Sequence, residues 1–209
     1  MSRDMTKLHP ITRILADELV KRCKDYGYNV KVTDCVRTKE EQNSLSSSVT
    51  KVKYPYSNHN WGVAFDICQN DKNNAYPSDN AWWTEVGKIG QSLGLEWGGS
   101  WKGFVDRPHF QLNTFGDCAD MIKAYGTPEK FFAHKDFKFT TPKTAIKPTS
   151  AKKKIIWLQT RLNCYGAGLE IDGIWGAKTT KAVKGWYKIT KGKDCTGQKV
   201  TVACIKLLA

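Results

Sequence analysis

Apolar residues recur at three- and four-residue intervals through Leu8, Ile11, Ile14, Leu15, Leu19, Val20 and Cys23. That spacing predicts an amphipathic helix over 8–26 with Pro10 in its first turn and Gly27 at its end. The period then falls to two. Residues 29–36 alternate as a strand does, and Thr38 with Glu41 three positions on has the form of a capping box opening a short helix. Residues 46–56 are polar and interrupted by proline, which predicts a loop. Over 63–67, Val63, Phe65 and Ile67 fall on one face of a strand, and Ala64 and Asp66 on the other. An Asn- and Asp-rich loop (69–80) leads to a helix over 81–93 that stops at Gly94. In the next strand Phe110 and Leu112 point inward, so His109 and Gln111 share the opposite face, while Pro108 biases Arg107 towards extended geometry and against a helix. A short helix over 115–125 closes this part.

From 137 to 154 the chain turns to Thr, Pro and Lys with no apolar period, as a linker does. Helical patterns resume at 155–162, 179–187 and 201–208, with a turn at 172–176. The predicted fold is α+β: a small antiparallel sheet with flanking helices over 1–137, a linker over 138–152, and a small three-helix domain over 153–209.

The candidate chemistry lies in two segments of the first domain. Ser57-Asn58-His59-Asn60-Trp61-Gly62-Val63-Ala64-Phe65-Asp66 puts His59 in a turn and Asp66 on a strand face that Gly62 and Ala64 leave nearly empty. Asp106-Arg107-Pro108-His109-Phe110 answers it with a second imidazole. Two imidazoles and one carboxylate form a three-ligand set that leaves a tetrahedral zinc one open position for water, the arrangement of catalytic rather than structural sites. Asp106, three residues before His109, is the candidate general base.

The pattern Ser-x-His-x-x-Gly-x-Ala-x-Asp followed by Asp-x-x-His resembles the zinc peptidases that cut bacterial cell-wall peptides, D-Ala-D-Ala carboxypeptidases and L-alanyl-D-glutamate endopeptidases among them. The run Gly94-Leu95-Glu96-Trp97-Gly98-Gly99-Ser100-Trp101-Lys102-Gly103-Phe104-Val105-Asp106-Arg107-Pro108-His109-Phe110 is most similar to the endopeptidase branch, found as phage endolysins and bacterial autolysins. Ser100 stands where many relatives carry Asp, so no role is carried over from that acid. The resemblance implies zinc held by His59, Asp66 and His109, and Arg37 as the group that steadies the oxyanion. Gln42 and Ser57 are implied substrate contacts, and Trp97 and Trp101, either side of a Gly-Gly turn, are candidate cleft walls. In the tail, Leu-Gln-x-x-Leu, Asp-Gly-Ile-Trp-Gly and Thr-x-x-Ala-Val resemble the three-helix peptidoglycan-binding module of wall hydrolases, with Trp175 as a candidate wall contact. The expected function is cleavage of the L-Ala to D-Glu bond of the peptidoglycan stem peptide. The alternatives are a D-Ala-D-Ala carboxypeptidase and a non-catalytic wall-binding protein.

The net charge of +13 changes this picture only once it is divided. Residues 1–137 carry 18 Lys and Arg against 17 Asp and Glu; residues 138–209 carry 15 against 3. The excess therefore belongs to the tail and suits an anionic wall polymer, whereas no finger, Gly-rich loop or aromatic-basic signature points to nucleic acid. Seven cysteines, an odd number with no C-x-x-C pair, predict reduced and mostly buried thiols in a protein made in a cytosol. The chain opens on mixed polar sequence and has no 18-residue apolar run, so neither a signal peptide nor membrane insertion is expected. A monomer made in the host cytoplasm and released to act on the wall fits these features.

Overall fold

The amphipathic stretch near the amino terminus is helix α1, Pro10–Asp25. It buries Ile11, Leu15, Ala16, Leu19 and Cys23, the stripe that the three- and four-residue spacing places on one side. Residues 3–209 are described by the computed structural model; Met1 and Ser2, where the reading of the amino terminus begins, lie outside them. They divide into two units, the chain as far as Gln91 with Leu95–Lys138, and Ser92–Gly94 with Phe139–Ala209.

In the first unit four strands, β1 (Val30–Asp34), β2 (Ala64–Gln69), β3 (Glu96–Trp97) and β4 (His109–Gln111), form a sheet in the order β1-β2-β4-β3. Every neighbouring pair is antiparallel. Helix α2 (Lys39–Ser44) follows β1 and opens with the predicted Thr38–Glu41 capping box. The remaining helices are α3 (Asn80–Ser92), α4 (Cys118–Tyr125) and α5 (Pro128–Ala133). Helix α5 has no counterpart among the predicted elements, although Thr127 caps it and Pro128 opens it, both ordinary start signals.

Cross-strand partners Phe65 and Phe110 stack with ring centroids 5.8 Å apart and are fully buried. Helix α3 comes down on Phe110 through Gly90 and on Trp97 through Gly87. A Cβ at Gly90 would overlap the Phe110 ring, and one at Gly87 the Trp97 ring. Glycine costs helix stability, but here it lets the helix backbone lie directly against aromatic rings.

The sheet register builds one polar row. Asp34 of β1 faces Asp66 of β2, and Asp66 faces His109 of β4. A bulge between Val32 and Asp34 shifts the β1–β2 register, so that Asp34 rather than Thr33 stands beside Asp66. An extra residue in one strand re-aims every side chain after it.

The second unit holds α6 (Lys152–Asn163), α7 (Ala177–Lys191) and α8 (Val202–Leu208) around Trp157, Leu158, Leu162, Val183, Trp186 and Ile205. The stretch read as linker contributes to this core. Ile146 is fully buried and exchanges two backbone hydrogen bonds of 2.9 Å with Val200. One apolar residue in a Thr/Pro/Lys setting has no period to reveal it. All seven cysteines are free thiols, and among the described residues no helix is long and apolar enough to cross a membrane.

Candidate metal centre

His59 is carried by a 3-10 turn, Asn58–Trp61, immediately before β2. The Asn60 side chain straps that turn in place: its Oδ1 accepts from the Ser57 backbone N–H at 3.3 Å, and its Nδ2 donates to the Arg37 carbonyl at 3.0 Å. The imidazole is fixed by its Nδ1–H, which donates to the Cys35 carbonyl at 2.7 Å. A carbonyl only accepts, so the proton is on Nδ1 and the Nε2 lone pair faces away from it.

His109 is fixed by the opposite nitrogen. Its Nε2 lies 3.0 Å from Gln111 Oε1. The Gln111 amide is oriented by its own Nε2, which donates to the Glu96 carboxylate at 3.1 Å, and by Asn58 Nδ2, which donates to Oε1 at 2.6 Å. The oxygen therefore faces His109, Nε2 carries the proton and Nδ1 is bare. This outer ring holds a ligand imidazole in one tautomer.

His59 Nε2, His109 Nδ1 and Asp66 Oδ1 converge. The two nitrogens are 3.3 Å apart, and each lies near the carboxylate oxygen, at 3.3 Å from His59 and 3.1 Å from His109. Three lone pairs meeting without a donor between them fit a cation. The spacing fits as well: a tetrahedral ion with bonds of about 2.0–2.1 Å has ligand atoms roughly 3.3 Å apart. Without an ion the same convergence is relieved by a proton. Burial alone would lower the pKa of His109, but its contact with Asp66 outweighs burial and raises it. Burial would likewise raise the pKa of Asp66, yet the two histidines hold that carboxyl far below its usual range.

The other oxygen of Asp66, Oδ2, accepts from Arg37 Nη2 at 3.1 Å, and Arg37 Nε donates to Asp34 Oδ2 at 2.6 Å. Arg37 thus bridges two carboxylates that the strand register sets side by side, and its Nη1 donors are not used by either bond. Asp34 is 2% exposed and was not among the residues singled out from sequence, because strand parity alone puts Thr33 in its place.

The site opens on a cleft of about 870 Å³ whose walls include Arg37, Ser57, Trp101 and Asp106. The Arg107-Pro108 segment forms a turn closed by the His109 N–H on the Asp106 carbonyl at 3.2 Å. Gly98 lies against this turn. Its carbonyl accepts from the Asp106 N–H at 3.0 Å, and a Cβ on it would come within 2.5 Å of the Asp106 carbonyl oxygen. Burial pushes the Asp106 carboxyl above the ordinary range; His109 draws it down and Asp66 adds to the rise.

Two expected substrate contacts are placed elsewhere. Gln42 is fully buried, with its Nε2 donating to Thr50 Oγ1 and the Val52 carbonyl, so it holds the 46–56 loop rather than a ligand. Trp97 donates from Nε1 to the Arg107 carbonyl and packs on α3, outside the cleft wall. Trp101 does line the cleft, its ring centroid 5.2 Å from that of His109, with its indole N–H on Glu96. The parts that sequence reasoning missed are Asp34, Asn58, Glu96 and Gln111. Of these only Gln111 carried a signal, through its place on the His109 face. Trp175 belongs to the second unit, where it is half-buried beside α7.

Residues 50–112 match a family of M15 peptidases described as D-alanyl-D-alanine carboxypeptidase. The chain is 33% identical over 122 residues to the peptidoglycan L-alanyl-D-glutamate endopeptidase CwlK of Bacillus subtilis, an alignment spanning 50% of this chain and 73% of the relative. It is also 33% identical over 129 residues to the L-alanyl-D-glutamate peptidase of Listeria phage A118, covering 59% of this chain and 42% of that protein. Among solved structures, the Serratia marcescens L-Ala D-Glu endopeptidase ChiX aligns over 52% of this chain and 83% of its own, with a TM-score of 0.43 and 20% identity. Peptidases of the matched family are metal-dependent, in keeping with the His-Asp-His group. Identical at 33% of positions over 73% of CwlK, the chain belongs to the M15 peptidase family that includes the peptidoglycan L-alanyl-D-glutamate endopeptidases.

Proposed function

We propose that the first unit hydrolyses the L-Ala to D-Glu bond of the peptidoglycan stem peptide, and that the ion at its centre is zinc. The observation that carries the reading is the convergence of His59 Nε2, Asp66 Oδ1 and His109 Nδ1 within 3.3 Å of one another, in a cleft that also holds Asp106. Imidazole and carboxylate ligands at tetrahedral spacing favour zinc among the common divalent ions. An ion held by His59, Asp66 and His109 would supply Lewis acidity there.

The chain's own groups do the rest. Asp106 accepts the proton of the attacking water and returns it to the leaving amine, the task of a general base that then acts as an acid. Arg37 bridges Asp34 and Asp66 and directs its remaining guanidinium protons to the oxyanion. Trp101 walls the cleft beside His109, and Ser57 borders it. The peptide so cut belongs to a bacterial wall, reached by a monomer made in a host cytoplasm without membrane insertion. The second unit acts there as a wall-binding module.

Digestion of purified peptidoglycan followed by mass spectrometry tests this. A new amino-terminal D-Glu supports the reading. Released D-Ala alone would replace it with carboxypeptidase activity, the reaction in the matched family's description. Tight wall binding with no product at all would leave a non-catalytic binding protein.

A further inference from the structure

The second unit concentrates positive charge on one helix. Residues 139–209 hold 14 Lys and Arg against 3 Asp and Glu, and five of those lysines, Lys178, Lys181, Lys184, Lys188 and Lys191, lie on α7. They follow one another at three- or four-residue steps and are exposed, whereas Thr179, Val183 and Trp186 turn the opposite side to the core. At a rise of about 1.5 Å per residue this makes a row roughly 20 Å long. Lys188 pairs with Asp194 at 3.2 Å.

Beside this row is a pocket of about 550 Å³ lined by Trp175, Thr180, Lys181, Lys184 and Gln198 among others, and by no carboxylate. It is held in shape from within. Trp175 Nε1 donates to Thr180 Oγ1 at 3.0 Å, and Gln198 Nε2 donates to the same oxygen at 3.2 Å. Gly197 brings the Gln198 loop hard against α7, where a Cβ would come within 2.6 Å of the Thr180 carbonyl. A hydroxyl accepts two hydrogen bonds and donates one. Both acceptor positions of Thr180 are filled, and its proton has no acceptor among the described residues. The pocket therefore offers a hydroxyl donor, two ammonium groups and the indole of Trp175, with no negative charge to oppose an anion. A solvated lysine face needs none of this internal bracing.

Resting on the wall-hydrolase reading, we propose that this pocket and the α7 lysine row bind a phosphate-bearing polymer attached to the cell wall. One phosphate is held by Thr180, Lys181 and Lys184, and the adjoining sugar or polyol lies on Trp175. Successive phosphates run along the remaining lysines. Repeating charge suits a row of ammonium groups better than the single carboxylates of a stem peptide do, and the indole gives a carbohydrate or polyol its apolar contact.

The test is sedimentation of the full chain with purified Gram-positive walls, before and after hydrofluoric acid removes their phosphodiester-linked polymers. Binding to intact walls is expected to weaken steeply with salt and to fall about tenfold or more on polymer removal and in Lys181→Glu/Lys184→Glu. Trp175→Ala should lose affinity with little change in the salt dependence. Lys143→Glu/Lys206→Glu, an equal change of charge outside the pocket lining, should lose much less. Unchanged binding to stripped walls would overturn the proposal in favour of peptidoglycan itself. Equal loss in the two double variants would overturn it in favour of diffuse charge, and effective competition by duplex DNA in favour of nucleic acid. Cleavage of a soluble stem peptide is measured alongside: it should be unaffected in every variant, and its absence from the wild type would sink the endopeptidase reading without touching this one.

Discussion

His109 Nε2 lies 3.0 Å from Gln111 Oε1, and that contact leaves Nδ1 as the bare nitrogen beside Asp66. Gln111 does not touch the ligand cluster through Nδ1, yet it decides which nitrogen faces it. Gln111→Met keeps the length of the side chain and removes the acceptor, so metal affinity should fall about 10- to 100-fold. Exchanging the pair, Glu96→Gln with Gln111→Glu, restores an acceptor for His109 and a donor between the two side chains, and should recover much of the loss. Competition against a chromogenic chelator measures both. Unaltered affinity in Gln111→Met would remove the tautomer argument.

Asp106 lines the cleft without being one of the three converging groups. Asp106→Asn should therefore bind metal as the wild type does while turnover drops by about 10²–10⁴, the usual worth of a general base. Metal titration and peptide cleavage on the same sample separate the two effects. Substantial turnover in this variant would assign proton transfer to another group.

Much of this was legible in the chain, and the failures have physical causes. The α1 stripe and the alternation around Phe65 and Phe110 were readable because one face of each element is buried. Readability ended where tertiary contacts decide. The bulge after Val32 exchanged Thr33 for Asp34 next to Asp66, and no alternation pattern contains a bulge. Trp97 and Trp101 flank the same Gly-Gly turn, yet only Trp101 reaches the cleft, because Gly87 makes room for Trp97 on α3. Nothing in the sequence around Gln42 shows that its Nε2 turns to the Thr50 hydroxyl and the Val52 carbonyl instead of the cleft.

Two glycines in helices should respond oppositely to alanine. Gly90→Ala drives a methyl into the Phe110 ring and should destabilise by about 1–3 kcal/mol, as overpacking does. Gly185 in α7 has nothing within 4 Å of an added Cβ, so Gly185→Ala should stabilise by roughly 0.4–1 kcal/mol. Thermal or urea unfolding reports both signs, and a stable Gly90→Ala would contradict the close approach of α3 to the sheet.

Burial pushes the Cys23 thiol up to about 12. A raised thiol pKa disfavours the thiolate, so at pH 8 only about one molecule in 10⁴ presents the nucleophile. Cys23 is also fully buried, so in the folded protein it should resist alkylation while partly exposed Cys195 reacts earlier. Peptide mapping after brief iodoacetamide treatment checks the order, and early labelling of Cys23 would contradict its place in the α1 core.

The His59, Asp66 and His109 group is expected to hold the ion that makes this chain a peptidase. This is tested most directly by stripping the metal and restoring it in measured amounts against a defined peptide with one L-Ala to D-Glu bond. Activity should vanish on chelation, return in proportion to zinc up to one ion per chain, and yield the fragment with amino-terminal D-Glu; Asp66→Ala should not recover at any zinc level. Cleavage by the stripped protein, or full recovery by Asp66→Ala, would contradict the account.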